Sequence, residues 1–305
     1  MDRYLWQIEN LDGLHLRRPF ALVGFGGWID AGLAATAAVK YLADELGARA
    51  VADLDPEPFY CFTDTRPRVT IRQPGAREAH WPSAAWSVVR VPEPAERDLV
   101  LFTAPEPNLR WRTFTSAVLD VFQRLGTETL VSFGAVLAPM HYRARPGLRG
   151  WATTTALRAA LRRRHIRSGN YQGPTGITTV LLTSARERGI AAFSLSTSSP
   201  SYLPDMTNPR AAAALLRGVV DVTGVALPLE ALERDARAFM ERVDQYLAEQ
   251  PELRAAVERI GYEAEAEDDE PRPDTESGPP AELPSSAAVL ADLEEFLKNL
   301  RRDQS

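Results

Sequence analysis

The stretch Gly24-Phe25-Gly26-Gly27-Trp28-Ile29-Asp30-Ala31-Gly32 places four permissive glycines, a carboxylate and a large aromatic within nine residues. That make-up suits a ligand crevice. Gly27 and Gly32 have the glycine spacing of a phosphate-cradling loop, yet Leu33 and Ala34 stand where such a loop needs Lys and Ser or Thr, which argues against nucleoside triphosphate hydrolysis. Asp30 reads either as a catalytic carboxylate or as a helix N-cap, a role for which Asp is strongly preferred. His141, beside Tyr142 and Arg143, reads either as a general base or as a hydrogen-bonding loop residue. Glu106 and Arg110, four residues apart, could bind a polar substrate or pair across a helix start. The catalytic candidates are therefore His141, Asp30 and Glu106.

Around them, five loops combine rigid Pro or Gly backbone with an aromatic: the glycine turn, 104–111, 138–142, 170–176 and 198–204. They nominate Gly26, Gly27, Trp28, Asp30, Asn108, Arg110, His141, Tyr171, Gly173, Pro174 and Tyr202 as crevice or binding residues. The chain has no Gly-x-Ser-x-Gly elbow and no His-Glu-x-x-His pair. Cys61 is the only cysteine, and His15, His80 and His165 share no ligand spacing with His141, so neither a metal nor a cofactor is expected. Arg162-Arg163-Arg164-His165 ends a predicted helix, where positive charge suits the macrodipole, and reads as a solvated helix end.

The elements that must carry these loops alternate. Buried-strand patterns fall at 20–25, 51–54, 69–72, 86–91, 99–103, 130–134 and 190–196, and three-and-four apolar spacing predicts helices at 31–46, 111–125, 152–164, 177–188 and 210–223. This predicts an α/β fold, a mainly parallel central sheet covered by helices on both faces, with a hairpin or antiparallel edge between 51 and 91. In such a sheet, ligands collect at the carboxyl ends of the strands. From Leu229 the apolar residues step by three and four through Tyr246 and resume after Pro251, which predicts a long amphipathic helix or a helical hairpin packed on the core. The expected organisation is a core over 1–225, the helical segment over 226–262, an acidic disordered linker over 263–283 and a terminal amphipathic helix over 284–305.

Composition narrows the function. With 45% hydrophobic residues in 305, the chain can bury a large core, and its net charge of -6 opposes broad attraction to nucleic acid. Lys40 and Lys298 are its only lysines, which leaves little Schiff-base chemistry. No apolar run reaches the ~18 residues of a membrane span, so no membrane association and a cytoplasmic location are expected.

Phe25-Gly26-Gly27-Trp28-Ile29-Asp30-Ala31-Gly32, Gly173-Pro174-Thr175-Gly176, and Pro200-Ser201-Tyr202-Leu203-Pro204 followed by Asn208-Pro209 together resemble the bacterial branch of the proteasome assembly chaperone family, of the second-subunit type. The resemblance spans about residues 5–223. It implies a three-layer α/β/α sandwich of phosphorylase/hydrolase-like architecture, no established enzymatic activity, a homo-oligomer taken as a trimer, and proteasome α subunits as partners. Relatives that dock on the core particle resemble one another in a terminal hydrophobic-Tyr-any tripeptide, whereas this sequence reads Arg302-Asp303-Gln304-Ser305 there, which leaves the terminal helix as the expected contact arm. The alternative is an enzyme binding a small nucleoside-like or amide substrate in the glycine-lined crevice.

Overall fold

The computed structural model describes residues 5–7, 11–73, 75–92, 96–169, 172–204 and 206–268. The chain divides into two compact units, Met1–Ala264 and Glu265–Ser305, and the first contains the sheet and the candidate loops. The terminal helix expected at 284–305, and the linker beyond 268, lie outside the described residues.

Seven strands form one sheet in the order β1-β3-β6-β7-β2-β8-β9. These are β1 (Leu5–Gln7), β2 (Phe20–Gly26), β3 (Arg49–Leu54), β6 (Ala84–Val89), β7 (Leu99–Pro105), β8 (Thr129–Ala138) and β9 (Ala191–Pro200). β7, β2, β8 and β9 pair in parallel, while β6, β3 and β1 continue the sheet through antiparallel pairings. Five of the seven strands thus run in one sense, with the antiparallel edge where Pro and Gly turns replace a crossover helix. β4 (Arg68–Gln73) and β5 (Ala76–His80) form a separate, wholly exposed hairpin.

The central strands are buried on both faces, and their alternation divides the core in two. Ala21, Val23 and Phe25 of β2, with Val100 and Phe102 of β7, face α2 (Trp111–Arg124) and α4 (Ile177–Glu187). Phe20 and Leu22, with Leu99 and Leu101, face α1 (Ala34–Glu45) and α5 (Pro209–Thr223), with Leu161 of α3 (Thr155–Arg163) in the same layer. This is a three-layer α/β/α sandwich, as the period-two patterning requires. Helix α6 (Glu230–Ala248) is followed, after Glu249 and Gln250, by α7 (Pro251–Asp268), which begins at the proline that cannot continue α6 and whose last turns occupy 263–268.

Two local departures from the expected pattern have backbone causes. The helix predicted from Ala31 starts instead as a 3-10 turn, because Gly32 (φ 61°) and Leu33 (φ 51°) are left-handed, and α1 proper begins at Ala34. The helix predicted from Ala152 begins at Thr155, whose N-cap Thr154 accepts from Leu157 N–H at 3.3 Å. The preceding residues are drawn off as a strap along β9: Arg149 and Ser196 exchange backbone hydrogen bonds, and Ser194 donates to the Trp151 carbonyl. Gly150 allows that approach, since a Cβ there would lie 2.4 Å from the Ser194 carbonyl oxygen.

A close contact between layers lies at Gly24. A Cβ at Gly24 would sit 2.6 Å from the Ala35 carbonyl oxygen, so α1 rests directly on the backbone of β2. Gly24→Val is expected to destabilise the chain by about 1–3 kcal/mol or more, because neither backbone can yield without moving an element. Urea unfolding should show a lower midpoint with an unchanged slope.

Candidate functional site

The glycine turn leaves β2 at the carboxyl end of the sheet and is held there by its neighbours. Gly27, at φ 125°, adopts a conformation that L side chains rarely take, and a Cβ would meet that of Glu106 at 3.2 Å. Glu106, in the loop after β7, donates its N–H to the Gly26 carbonyl at 2.7 Å and accepts from Ile177 N–H at 2.8 Å. Its carboxylate thus caps α4, whose own N-cap, Gly176, has no side chain to do so; a Cβ on Gly176 would press on Glu106 Oε1 at 3.1 Å.

Asp30 does the same for α1. Oδ1 accepts from Ala35 N–H at 2.7 Å and Thr36 N–H at 3.3 Å, and Oδ2 accepts from the Thr36 hydroxyl at 2.6 Å. Capping is therefore real, but it reaches across the 3-10 turn to residues five and six positions on, because the local N-cap is Leu33. Burial, the largest influence, pushes the Asp30 carboxyl above its usual value, against the pull of Thr36 and the two backbone donors.

The remaining candidates are also engaged. Asn108 Oδ1 accepts from Cys61 N–H (2.9 Å) and the Thr65 hydroxyl (3.2 Å), fixing the 59–65 loop beside the aromatic stack of Phe114 with Phe25, Phe59 and Tyr60. Arg110 is the exposed, left-handed N-cap of α2 (φ 53°). His141 Nδ1 accepts from Arg143 N–H at 3.2 Å, and its ring lies 4.7 Å from that of Tyr142. Gly173 and Pro174 are exposed, and Tyr171 lies outside the described residues. These residues occupy neighbouring strand-to-helix loops, but their contacts run to separate partners: His141 to the Tyr142–Arg143 turn, Asp30 to α1 and Glu106 to α4.

The loop after β8 is latched to the helical pair. Tyr202 Oη accepts from Tyr142 N–H at 2.8 Å, and burial pushes that phenol up to about 12. Tyr142 donates to Asp244 of α6, Arg143 Nη2 donates to both Asp244 oxygens at 2.7 Å, and Arg210 of α5 donates to the carbonyls of Tyr142, Arg143 and Ala144. Beneath the latch, Tyr142 and Leu203 pack with Phe239, Val243 and Leu247 of α6 and Val257 of α7. Burial raises the Asp244 carboxyl, but hydrogen bonds from Tyr142 and Arg143 outweigh it and hold the group below its ordinary value.

Several large apolar side chains also face outward. Trp28 is 67% exposed, Leu33 53%, Leu109 51%, Val136 50% and Leu137 49%, and all belong to the carboxyl ends of β2, β7 and β8 or the turns beyond them. Beyond Phe133, the last residue of β8 in register with β2, the strand goes on pairing with β9; Ala135 still donates its N–H to the Ile29 carbonyl of the glycine turn at 2.6 Å, and past it Val136 and Leu137 are exposed. Sequence patterning did not nominate Leu33, Leu109, Val136 and Leu137, because an apolar residue in a turn or at the end of a strand is indistinguishable from core until the sheet edge is known. Among the described residues, no group of His, Cys, Asp or Glu could hold a metal, and no helix is long and apolar enough to cross a membrane.

The family model of the PAC2 family matches residues 24–247, and the chain belongs to that family. It is 37% identical to a PAC2 family protein from Streptomyces avermitilis, with a TM-score of 0.68 over 74% of this chain and 95% of that one. A proteasome-assembly chaperone homologue from Mycobacterium tuberculosis is 35% identical, with a TM-score of 0.69 over 78% of this chain and 99% of that one. An archaeal proteasome activator from Pyrococcus furiosus shares the fold at 20% identity, with a TM-score of 0.62 over 79% and 97% of the two chains. No curated protein matches the sequence.

Asp30→Ala removes a buried acceptor from three donors and is expected to cost about 1–3 kcal/mol in chemical unfolding, with Asp30→Asn restoring part of it. The latch gives a pH signature. A lowered folded value means that Asp244 stabilises fully above its unfolded value, near 3.8, and loses that contribution as pH falls through the folded value. Asp244→Asn, at a partly exposed pair, should therefore be about 0.5–1 kcal/mol less stable than wild type at pH 7. The two unfolding midpoints should converge only below the unfolded value.

Proposed function

We propose that this chain is a non-enzymatic, assembly-chaperone-like protein that self-associates and binds unassembled proteasome α subunits through the carboxyl-end loops of its sheet. One observation carries this reading: at the end of the sheet where an α/β enzyme gathers its reacting groups, the carboxylates of Asp30 and Glu106 are engaged as helix caps, while Trp28, Leu33, Leu109, Val136 and Leu137 face outward. Exposed aromatic and aliphatic groups ringed by polar loops have the composition of a protein-docking surface rather than of a proton-transfer site. The name of the M. tuberculosis relative, a proteasome-assembly chaperone homologue, supports the choice of partner. A trimer is the expected self-assembly, and the cytoplasm the expected location.

Native mass spectrometry of the full chain, alone and mixed with unassembled proteasome α subunits, tests the proposal. The expected result is a homo-oligomer that forms a stoichiometric complex with the α subunits. Trp28→Asp should weaken that complex at least tenfold, the loss typical of an aromatic anchor, without lowering the melting temperature. A monomer that ignores the α subunits, or an unchanged complex with Trp28→Asp and Leu137→Asp, would overturn it.

A further inference from the structure

On the side of the molecule formed by α5, α6 and the 145–148 segment lies a cavity of about 530 Å³, lined by none of the outward-facing residues of the carboxyl-end loops. Ile166, Ala213 and Gly218 form its buried floor. Its walls carry five guanidinium groups, from Arg145, Arg164, Arg210, Arg217 and Arg237, against the two carboxylates of Asp221 and Glu233. The chain as a whole is negative, at -6, so this is a local reversal of charge. A concave surface of one sign concentrates counter-ions of the other.

The internal contacts of Arg164 and Arg210 orient them without cancelling their charge. Arg210 donates to three backbone carbonyls, and Arg164 Nε donates to the Asp221 carbonyl at 2.7 Å; all four acceptors are neutral. Arg217 is paired with Glu233. Arg145 and Arg237 meet no acceptor among the described residues. His165, left-handed at φ 56°, completes the rim. Residues 162–165 are the exposed basic end of α3, as expected, and Arg164 and His165 also line this concavity.

We propose that this cavity binds a small molecule bearing two or more phosphoryl groups. Guanidinium forks match phosphate oxygens in bidentate geometry, and the forks of Arg145 and Arg237, in a cavity where guanidinium groups outnumber carboxylates, favour a polyanion over a single carboxylate. The volume is that of a small-ligand pocket. The site is independent of partner binding through the carboxyl-end loops.

Isothermal titration of the full chain with inorganic pyrophosphate, at low and moderate salt, tests this, with citrate as a carboxylate comparison. Expected are saturable one-to-one binding that weakens with salt, a preference for pyrophosphate over citrate, and at least a tenfold loss in Arg145→Gln/Arg237→Gln. Both side chains are exposed, so that variant should keep the wild-type melting temperature without ligand. Arg66→Gln/Arg68→Gln, on exposed side chains where the chain enters β4, should bind as wild type. Absence of saturable binding, equal affinity for citrate, or equal loss in the two double variants would overturn the proposal.

Discussion

The contact between the Gly24 backbone and the Ala35 carbonyl sets the geometry from which the carboxyl-end surface follows. Because α1 rests on β2 without an intervening side chain, its amino end lies against the strand, and the seven residues between Gly26 and Ala34 must turn within a short span. Left-handed backbone at Gly32 and Leu33 is the steric solution. At Leu33 this carries a cost of about 1 kcal/mol, since an L side chain there crowds its own carbonyl. The same turn throws Trp28 and Leu33 outward and swings Asp30 inward, beneath the first free amides of α1.

A consistent division of labour follows around the carboxyl ends of the strands. Polar side chains in these loops satisfy backbone groups: Asp30 at α1, Glu106 at α4, Asn108 at the 59–65 loop and Tyr202 at the loop after β8. Asp30 ties its own connection to α1, while the other three ties join segments distant in sequence, so these loops are braced rather than independent flaps. With these polar groups turned inward, Trp28, Leu33, Leu109, Val136 and Leu137 are left exposed at the same end of the sheet. That presentation suits recognition of a surface more than transformation of a substrate.

The layers of the fold were legible because the central strands are short continuous apolar runs bounded by turns and the helices repeat at three to four, so that β2, β7, β8 and all five core helices lie within a few residues of their expected places. β5 was not, since Ala-Arg-Glu-Ala-His has no β-branched or large apolar residue and becomes a strand only by pairing with β4. The loops of the site were also legible, from Gly and Pro at the ends of apolar runs. The roles of their side chains were not: Glu106 meets Ile177 seventy-one positions away, and Tyr202 meets Tyr142 sixty positions away. No local spacing encodes such meetings. The arginine cavity escaped for the same reason, being assembled from α5, α6 and two separate turns.

The strap at 149–153 also closes an edge. A terminal strand of a sheet ordinarily offers a row of unpaired amides and carbonyls to which a foreign strand can add. Along β9 that row is already occupied by Arg149, Trp151 and Thr153, admitted by the missing side chain at Gly150. Over residues 192–196 this margin of the molecule is therefore shut to strand addition and to the fibrous growth that strand addition seeds.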